Sequence, residues 1–90
     1  MMKKIEVDAS LFTDPQAVHT VLKQALCEDG YIGNNLDALH DVLTAVGKKT
    51  KITVKNFTAA EKQLGDYASA LALVLASSAS SNRYLTVVFE

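Results

Sequence analysis

Two aspartates and a histidine recur at helical spacing near the middle of the chain. Asp37, His40 and Asp41 lie three and four residues apart in the segment GYIGNNLDALHDVLT, residues 30–44. Residues at these separations share one face of a helix, and a helix beginning near Asn35 would turn that face away from a stripe of leucines. Carboxylates and an imidazole in one place can bind a metal ion or transfer protons. The face should therefore meet water or a partner.

This segment carries negative charge with no balancing cation. Between Lys23 and Lys48 there is no Lys or Arg, but there are four acids: Glu28, Asp29, Asp37 and Asp41. The helix dipole favours Asp37 in the first turn, whereas like charges four residues apart destabilise a helix by roughly 0.2–0.5 kcal/mol. The pair is a hint of function, and the alternative is an ordinary solvated helix face.

Neither a metal site nor a catalytic centre is predicted. The acids Glu28, Asp29, Asp37 and Asp41 with His40 match no metal-ligand spacing. No nucleophile, oxyanion donors or phosphate loop accompanies them, so we expect no enzyme activity and no cofactor. Lysines between residues 48 and 55 could form a basic patch, but no interleaved aromatics offer stacking for bases. Direct nucleic-acid binding is the weaker alternative.

Composition bounds the class of protein. Ninety residues, 49% hydrophobic and 21% charged, suffice for one modest core, so residues 1–90 are predicted to form a single domain. Cys27 is the one cysteine, which indicates a reducing compartment. The start MMKKIEVD is too polar for a secretory signal, and the apolar Ala68–Ala76 is too short to span a bilayer. We expect a cytoplasmic protein, without membrane contact and monomeric when free.

Alternating strand and helix patterns predict an α/β fold. Strands are predicted at Lys4–Val7, Lys51–Val54 and Leu85–Phe89, the last as a strand buried on both faces. Because helical stretches separate the strands, they should pair in parallel through right-handed crossovers. The expected architecture is a small three-stranded parallel sheet packed with about four helices.

Capping residues predict where the first two helices begin and end. Thr13 or Asp14 can cap the first helix, and Gly30 lies beyond its end. The second helix should stop at Gly47. Its inner face is formed by Leu36, Leu39, Val42, Leu43 and Val46.

The last two helices are predicted in the same way. Thr58 and Glu61 have the spacing of a capping box, opening a third helix that ends near Gly65. Asp66 can cap a fourth. The residues expected to face inward from that helix are Tyr67, Leu71, Val74 and Leu75.

The middle segment also carries a family pattern, Y-x-G-x-N-L-D-A-L-x-D-x-L-T. Every fixed position is present: Tyr31, Gly33, Asn35, Leu36, Asp37, Ala38, Leu39, Asp41, Leu43 and Thr44. In this respect the chain resembles the barstar family, intracellular inhibitors of secreted bacterial ribonucleases of the barnase type. Chain length, element order and the closing strand LTVVF are also similar.

The resemblance implies an inhibitor that binds protein to protein. In the family, the acidic helix and the loop before it plug an active site that is cationic because it binds a phosphodiester. By this likeness Asp41 is the central anchor, Asp37 its companion, and Tyr31 stacks over the catalytic region. The implied contact residues are Tyr31, Gly33, Asn35, Leu36, Asp37, His40, Asp41 and Thr44.

The chain departs from the family at several points. His40 replaces an aromatic, usually Trp, so we expect a smaller contact there and pH-sensitive binding. Ser77 and Ser78 stand where the fourth helix supplies a further acid, and the net charge is only −1. The expected partner is a barnase-like ribonuclease or another basic protein. The alternative is a barstar-fold interaction module that has lost or exchanged its ribonuclease target.

Overall fold

The computed structural model describes residues 2–26 and 35–90 and confirms the α/β class. In these ranges, three parallel strands are separated by pairs of α-helices, which makes four helices, as predicted. The elements in order are β1 (Lys3–Asp8), a 3₁₀ turn (Ala9–Leu11), α1 (Pro15–Leu26), α2 (Leu36–Thr44), β2 (Thr50–Lys55), α3 (Phe57–Leu64), α4 (Asp66–Ser81) and β3 (Leu85–Phe89). Within the described ranges, no helix is long and apolar enough to cross a membrane.

The sheet has the order β1-β2-β3, with Ile52 of β2 paired to Ile5 on one side and Val87 on the other. The central β2 is the strand buried most completely. The expectation that β3 is buried on both faces is wrong. Only Leu85 of that strand is buried, and Phe89 is 40% exposed. The physical reason is its place at the edge of the sheet, which an apolar run does not reveal.

Local hydrogen bonds explain where α1 and α3 begin. Asp14 caps α1, as predicted, because its Oδ1 accepts the backbone N–H of Ala17 at 2.7 Å. The predicted capping box of α3 does not form. That helix begins after Asn56, whose backbone is left-handed (φ 61°) and whose amide donates to Asp8 Oδ1 at 3.0 Å. A contact with β1 replaces the local cap.

One glycine separates α3 from α4. Gly65 has φ 58° and ψ −126°, a conformation that L-residues rarely adopt. Asp66 is the first residue of α4 rather than its N-cap, so the predicted cap is wrong by one position. Its carboxylate still lies in the first turn, where the helix dipole favours negative charge.

The end of α2 also differs from the prediction. The helix ends at Thr44, three residues before Gly47, and Val46 lies outside it while remaining half-buried. Gly47 does not have the positive φ of a glycine cap. A side chain at the end of α4, not a glycine, bonds to the last backbone carbonyls of α2.

The core lies where α1, α2 and α4 pack with the sheet, and it contains a histidine that sequence reasoning missed. His19 of α1 has no exposed surface, and its Nε2 lies 2.6 Å from the hydroxyl oxygen of Tyr67 in α4. Burial, with a smaller contribution from the charge of Lys23, lowers the pKa of His19 below its ordinary value. Burial also raises the pKa of Tyr67. Burial in the folded protein therefore favours the neutral form of the imidazole.

We expect the folded protein to lose stability as the pH falls below about 6.5, the ordinary His value. The unfolded chain then binds a proton at His19 that the folded chain resists, so the free energy of unfolding falls with pH. Urea denaturation of the wild type and of His19→Gln at pH 5, 6, 7 and 8 measures this. Between pH 7 and pH 5, the free energy of unfolding should fall less steeply in His19→Gln than in the wild type.

His40→Gln is the matched control, since the chain has two histidines and His40 is not fully buried. Because it leaves the buried His19 in place, the pH dependence that depends on His19 should persist in this variant. Equal slopes for wild type and His19→Gln would contradict the expectation.

Candidate functional site

The structure places the two aspartates of α2 on its outer face, as the sequence predicts. The inner face of this helix buries Leu39 and Leu43 completely, with Val42 nearly so. Asp37 and Asp41 consequently point away from the core and are exposed. We call Asp37, His40, Asp41 and Thr44 the acidic face of α2.

Asn35 starts the helix that carries this face. Its backbone is extended (φ −140°, ψ 167°), and its Oδ1 accepts the backbone N–H of Ala38 at 2.8 Å. Since a backbone N–H is a donor, the atom facing it must be the amide oxygen. Among the described residues, no acceptor is found for the Asn35 NH₂ group, which can donate to a partner.

Among the described residues, no cation pairs with the carboxylate of Asp37 or Asp41. Within residues 2–26 and 35–90, no ion pair or side-chain hydrogen bond involves either group; the ion pair found there joins Lys55 Nζ to Glu6 at 3.0 Å. Exposed acids are often matched by a lysine or arginine one turn away. Here their acceptor positions are left to water or to a partner.

The position of Asp41 in α2 adds to its electrostatic cost. The helix has nine residues, so Asp37 lies in the first turn and Asp41 already lies in the last, which contains no basic residue. A carboxylate at the carboxyl end of a helix is disfavoured by the helix dipole, and Asp37 repels it from one turn away. The folding of the helix does not explain why an acid stands there.

Thr44 and His40 complete the acidic face. The hydroxyl of Thr44 donates to the backbone carbonyls of His40 at 2.8 Å and Asp41 at 3.2 Å. Because a hydroxyl has one proton, Thr44 can only accept from a partner, which suits a partner rich in N–H donors. His40 and Leu36 are half-buried, and Leu36 packs partly against the core.

The other candidate site residues named in the sequence analysis lie either outside the described residues or on α4. Tyr31 and Gly33 lie outside the described residues, as do Gly30 and the acids Glu28 and Asp29, so their contact roles stay predictions. On α4, Ser77 is exposed, whereas Ser78 is fully buried and cannot face a partner. No Asp or Glu lies between Asp66 and Glu90, so this end of α4 presents no carboxylate.

Sequence reasoning missed Asn82, which follows α4 and is 7% exposed. Its Nδ2 lies 3.0 Å from the carbonyl oxygen of Leu43, 3.4 Å from that of Thr44 and 2.8 Å from that of Val46. Two of these carbonyls belong to the last two residues of α2, where helical partners are lacking, and that of Val46 lies just beyond the helix. No local signal could have revealed it, because the two segments are 36 to 39 positions apart.

The described residues offer little for a small ligand. They include no group of three or more His, Cys, Asp or Glu side chains that could hold a metal ion. A cleft of about 440 Å³ lies elsewhere. Its lining contains none of the predicted contact residues and consists of Lys3, Ile5, Leu26, Ala45, Val46, Gly47, Lys48 and Thr50. The predicted contact residues that the structure describes thus lie on α2 and at its start, outside this cleft.

Comparison with known proteins agrees with this geometry. A family sequence model described as "Barstar (barnase inhibitor)" matches residues 2–90. The chain belongs to the barstar family. A similar protein of Bacillus subtilis (strain 168) is named "Putative ribonuclease inhibitor YrdF". It is 40% identical over 68 residues, which cover 74% of this chain and 75% of that protein. The resemblance read from residues 31–44 is thus confirmed for the family.

Replacing the cap of α2 should destabilise the protein. Asn35→Ala removes the acceptor of the Ala38 N–H, and we expect it to lower the free energy of unfolding by about 1 kcal/mol. Asn35→Ser restores a capping oxygen and should recover most of the loss. Urea denaturation of the three proteins measures this, and equal stability of the two variants would argue against the cap.

Removing one charge from the acidic face should have the opposite effect on stability. Asp41→Asn relieves repulsion from Asp37 and the unfavourable position at the helix end, so we expect stabilisation of roughly 0.2–0.5 kcal/mol at low salt. The gain should shrink in 0.5 M salt, where the Debye length falls to about 4 Å. Denaturation with Asp66→Asn as control tests this, because Asp66 lies in the first turn of its helix and should not gain. A less stable Asp41→Asn protein would show that Asp41 has a structural role.

Proposed function

We propose that this protein is a ribonuclease inhibitor that blocks the cationic active site of a barnase-type ribonuclease with the acidic face of α2 and the loop before it. Membership of the barstar family and the name of the Bacillus relative support an inhibitory, non-catalytic role. The observation that carries the mechanism is the exposed pair Asp37 and Asp41, which has no cation among the described residues.

Phosphate mimicry is the physical basis of the proposal. A ribonuclease must present Arg, Lys or His groups to the phosphodiester that it cleaves. Carboxylates held on a rigid helix accept charge-assisted hydrogen bonds from the same groups. Asp41 is the central anchor in this proposal and Asp37 its companion, while Thr44 accepts a further N–H. The repulsion between the two acids in the free protein then becomes complementarity in the complex.

The remaining contacts are proposed from the resemblance to the family. In the proposed complex, Tyr31 stacks over the catalytic region of the enzyme, while Gly33 and Asn35 line the rest of the contact. Leu36 contributes at the edge of the contact, and His40 contributes less area than the family's aromatic. The inhibitor needs no cofactor and acts as a monomer in the cytoplasm.

A second candidate function is favoured by the surface of α4. Leu73 is 71% exposed, and the neighbouring exposed positions Ser69, Ser77 and Ser80 are uncharged. The family's further acidic contact is therefore missing from this helix. With a net charge of −1, steering toward a basic enzyme is also weaker. A barstar-fold module with a changed protein target fits both the uncharged surface of α4 and the low net charge.

The first test is titration of a purified barnase-type ribonuclease with this protein at 20 and 150 mM salt. We expect stoichiometric inhibition that weakens with salt, because exposed charges are screened. Asp41→Ala should raise the inhibition constant at least about tenfold, the loss of a hydrogen bond to a charged group.

Glu61→Ala is the matched control, since Glu61 is an exposed acid on α3 outside the proposed contact. It should inhibit as the wild type does. If folded wild-type protein does not inhibit, the ribonuclease assignment is wrong and the changed-target function takes its place. If Asp41→Ala inhibits normally, the anchor is wrong.

A further inference from the structure

One polar side chain joins three elements next to the acidic face. Asn82 ends α4, and its Nδ2 reaches the carbonyl oxygens of Leu43, Thr44 and Val46 at the end of α2. Its Oδ1 accepts the backbone N–H of Tyr84 at 3.0 Å, immediately before β3. Both ends of the amide are thus used, and its orientation is fixed by the Tyr84 donor.

These bonds meet a need that the end of α2 creates. The last carbonyls of a helix lack intrahelical partners, and a left-handed glycine often supplies the missing donors. Here Ala45 follows the helix in a right-handed conformation, and Gly47 has no positive φ. The Asn82 amide supplies N–H donors from another element instead.

The bonds also act on the turn that carries the anchor. Leu43 and Thr44 lie two and three residues after Asp41, and the Thr44 hydroxyl donates to the Asp41 carbonyl at 3.2 Å. α2 has nine residues, about two and a half turns, so bonds to its last turn act within one turn of Asp41. The cap at Asn35 is a bond within α2 and does not tie it to the rest of the protein.

We infer that Asn82 is a positioning residue for inhibition, holding the last turn of α2 so that Asp41 and Thr44 meet the cationic partner together. This inference rests on the proposed function. At 7% exposure, Asn82 offers a partner almost no surface, so any effect on binding must pass through the acidic face. Asn82 itself lies outside the family pattern of residues 31–44.

A double-mutant cycle separates positioning from general stability. Asn82→Ala should raise the inhibition constant at least about fivefold under conditions where the variant is fully folded. In the Asp41→Ala background the same substitution should have little further effect, because the anchor it positions is gone. A loss by the same factor in both backgrounds would overturn the inference, as would normal inhibition by folded Asn82→Ala.

Two further variants keep the test decisive. Ser78→Ala is the matched control, since Ser78 is buried in α4 and its hydroxyl has no hydrogen-bond partner in the structure; it should inhibit normally. Asn82→Ser keeps one hydrogen-bond donor and removes less of the side chain than Asn82→Ala. It replaces Asn82→Ala in the cycle if the alanine variant does not fold. A weakened Ser78→Ala protein would show that any change in α4 suffices and would count against Asn82.

Hydrogen exchange distinguishes failure of this inference from failure of the proposed function. The Ala45 N–H, bonded to the Asp41 carbonyl at 3.2 Å, should exchange at least about tenfold faster in Asn82→Ala than in Ser78→Ala. If the wild type does not inhibit, hydrogen exchange alone tests the role of Asn82. Faster exchange then supports the positioning of α2 by Asn82, and unchanged exchange overturns it. If the wild type inhibits, the cycle decides.

Discussion

The burial of Leu39 and Leu43 determines how α2 presents its acids. A nine-residue helix has little intrinsic stability in water, and most of what holds it comes from packing of its apolar side. Because both leucines are fully buried, rotating the helix would bring a carboxylate into the core, which is costly. The same contact that stabilises the helix therefore fixes the direction of Asp37 and Asp41.

Periodicity predicted this arrangement because it depends on residues close together in sequence. The outward acids, the start of α2 at Asn35 and the cap at Asp14 are all local consequences of helix geometry. The parallel pairing of the strands also followed, since helical segments separate them. The family pattern added a prediction of which residues contact the partner, which geometry alone does not supply.

What could not be predicted depends on contacts between distant segments. The amide of Asn56 bonds to Asp8 at the start of α3, where a capping box of Thr58 and Glu61 was predicted. The amide of Asn82 bonds to the carbonyl of Leu43 at the end of α2, which comes before the predicted end at Gly47. The position of β3 at the sheet edge is likewise a property of strand order, which hydrophobicity does not encode. In each case a rule based on neighbouring residues predicted one arrangement, and a contact with a distant segment produces another.

The edge position of β3 has a consequence for the protein outside its folded, bound state. An edge strand has backbone donors and acceptors without a neighbouring strand, and LTVVF is short, apolar and rich in β-branched residues. At the opposite edge β1 carries exposed Lys3 and Lys4, charges that discourage pairing with another chain. On β3 the flanking charges are Arg83 and Glu90. Among the described strands, the edge formed by β3 is therefore the one where charge least opposes β-pairing with another chain.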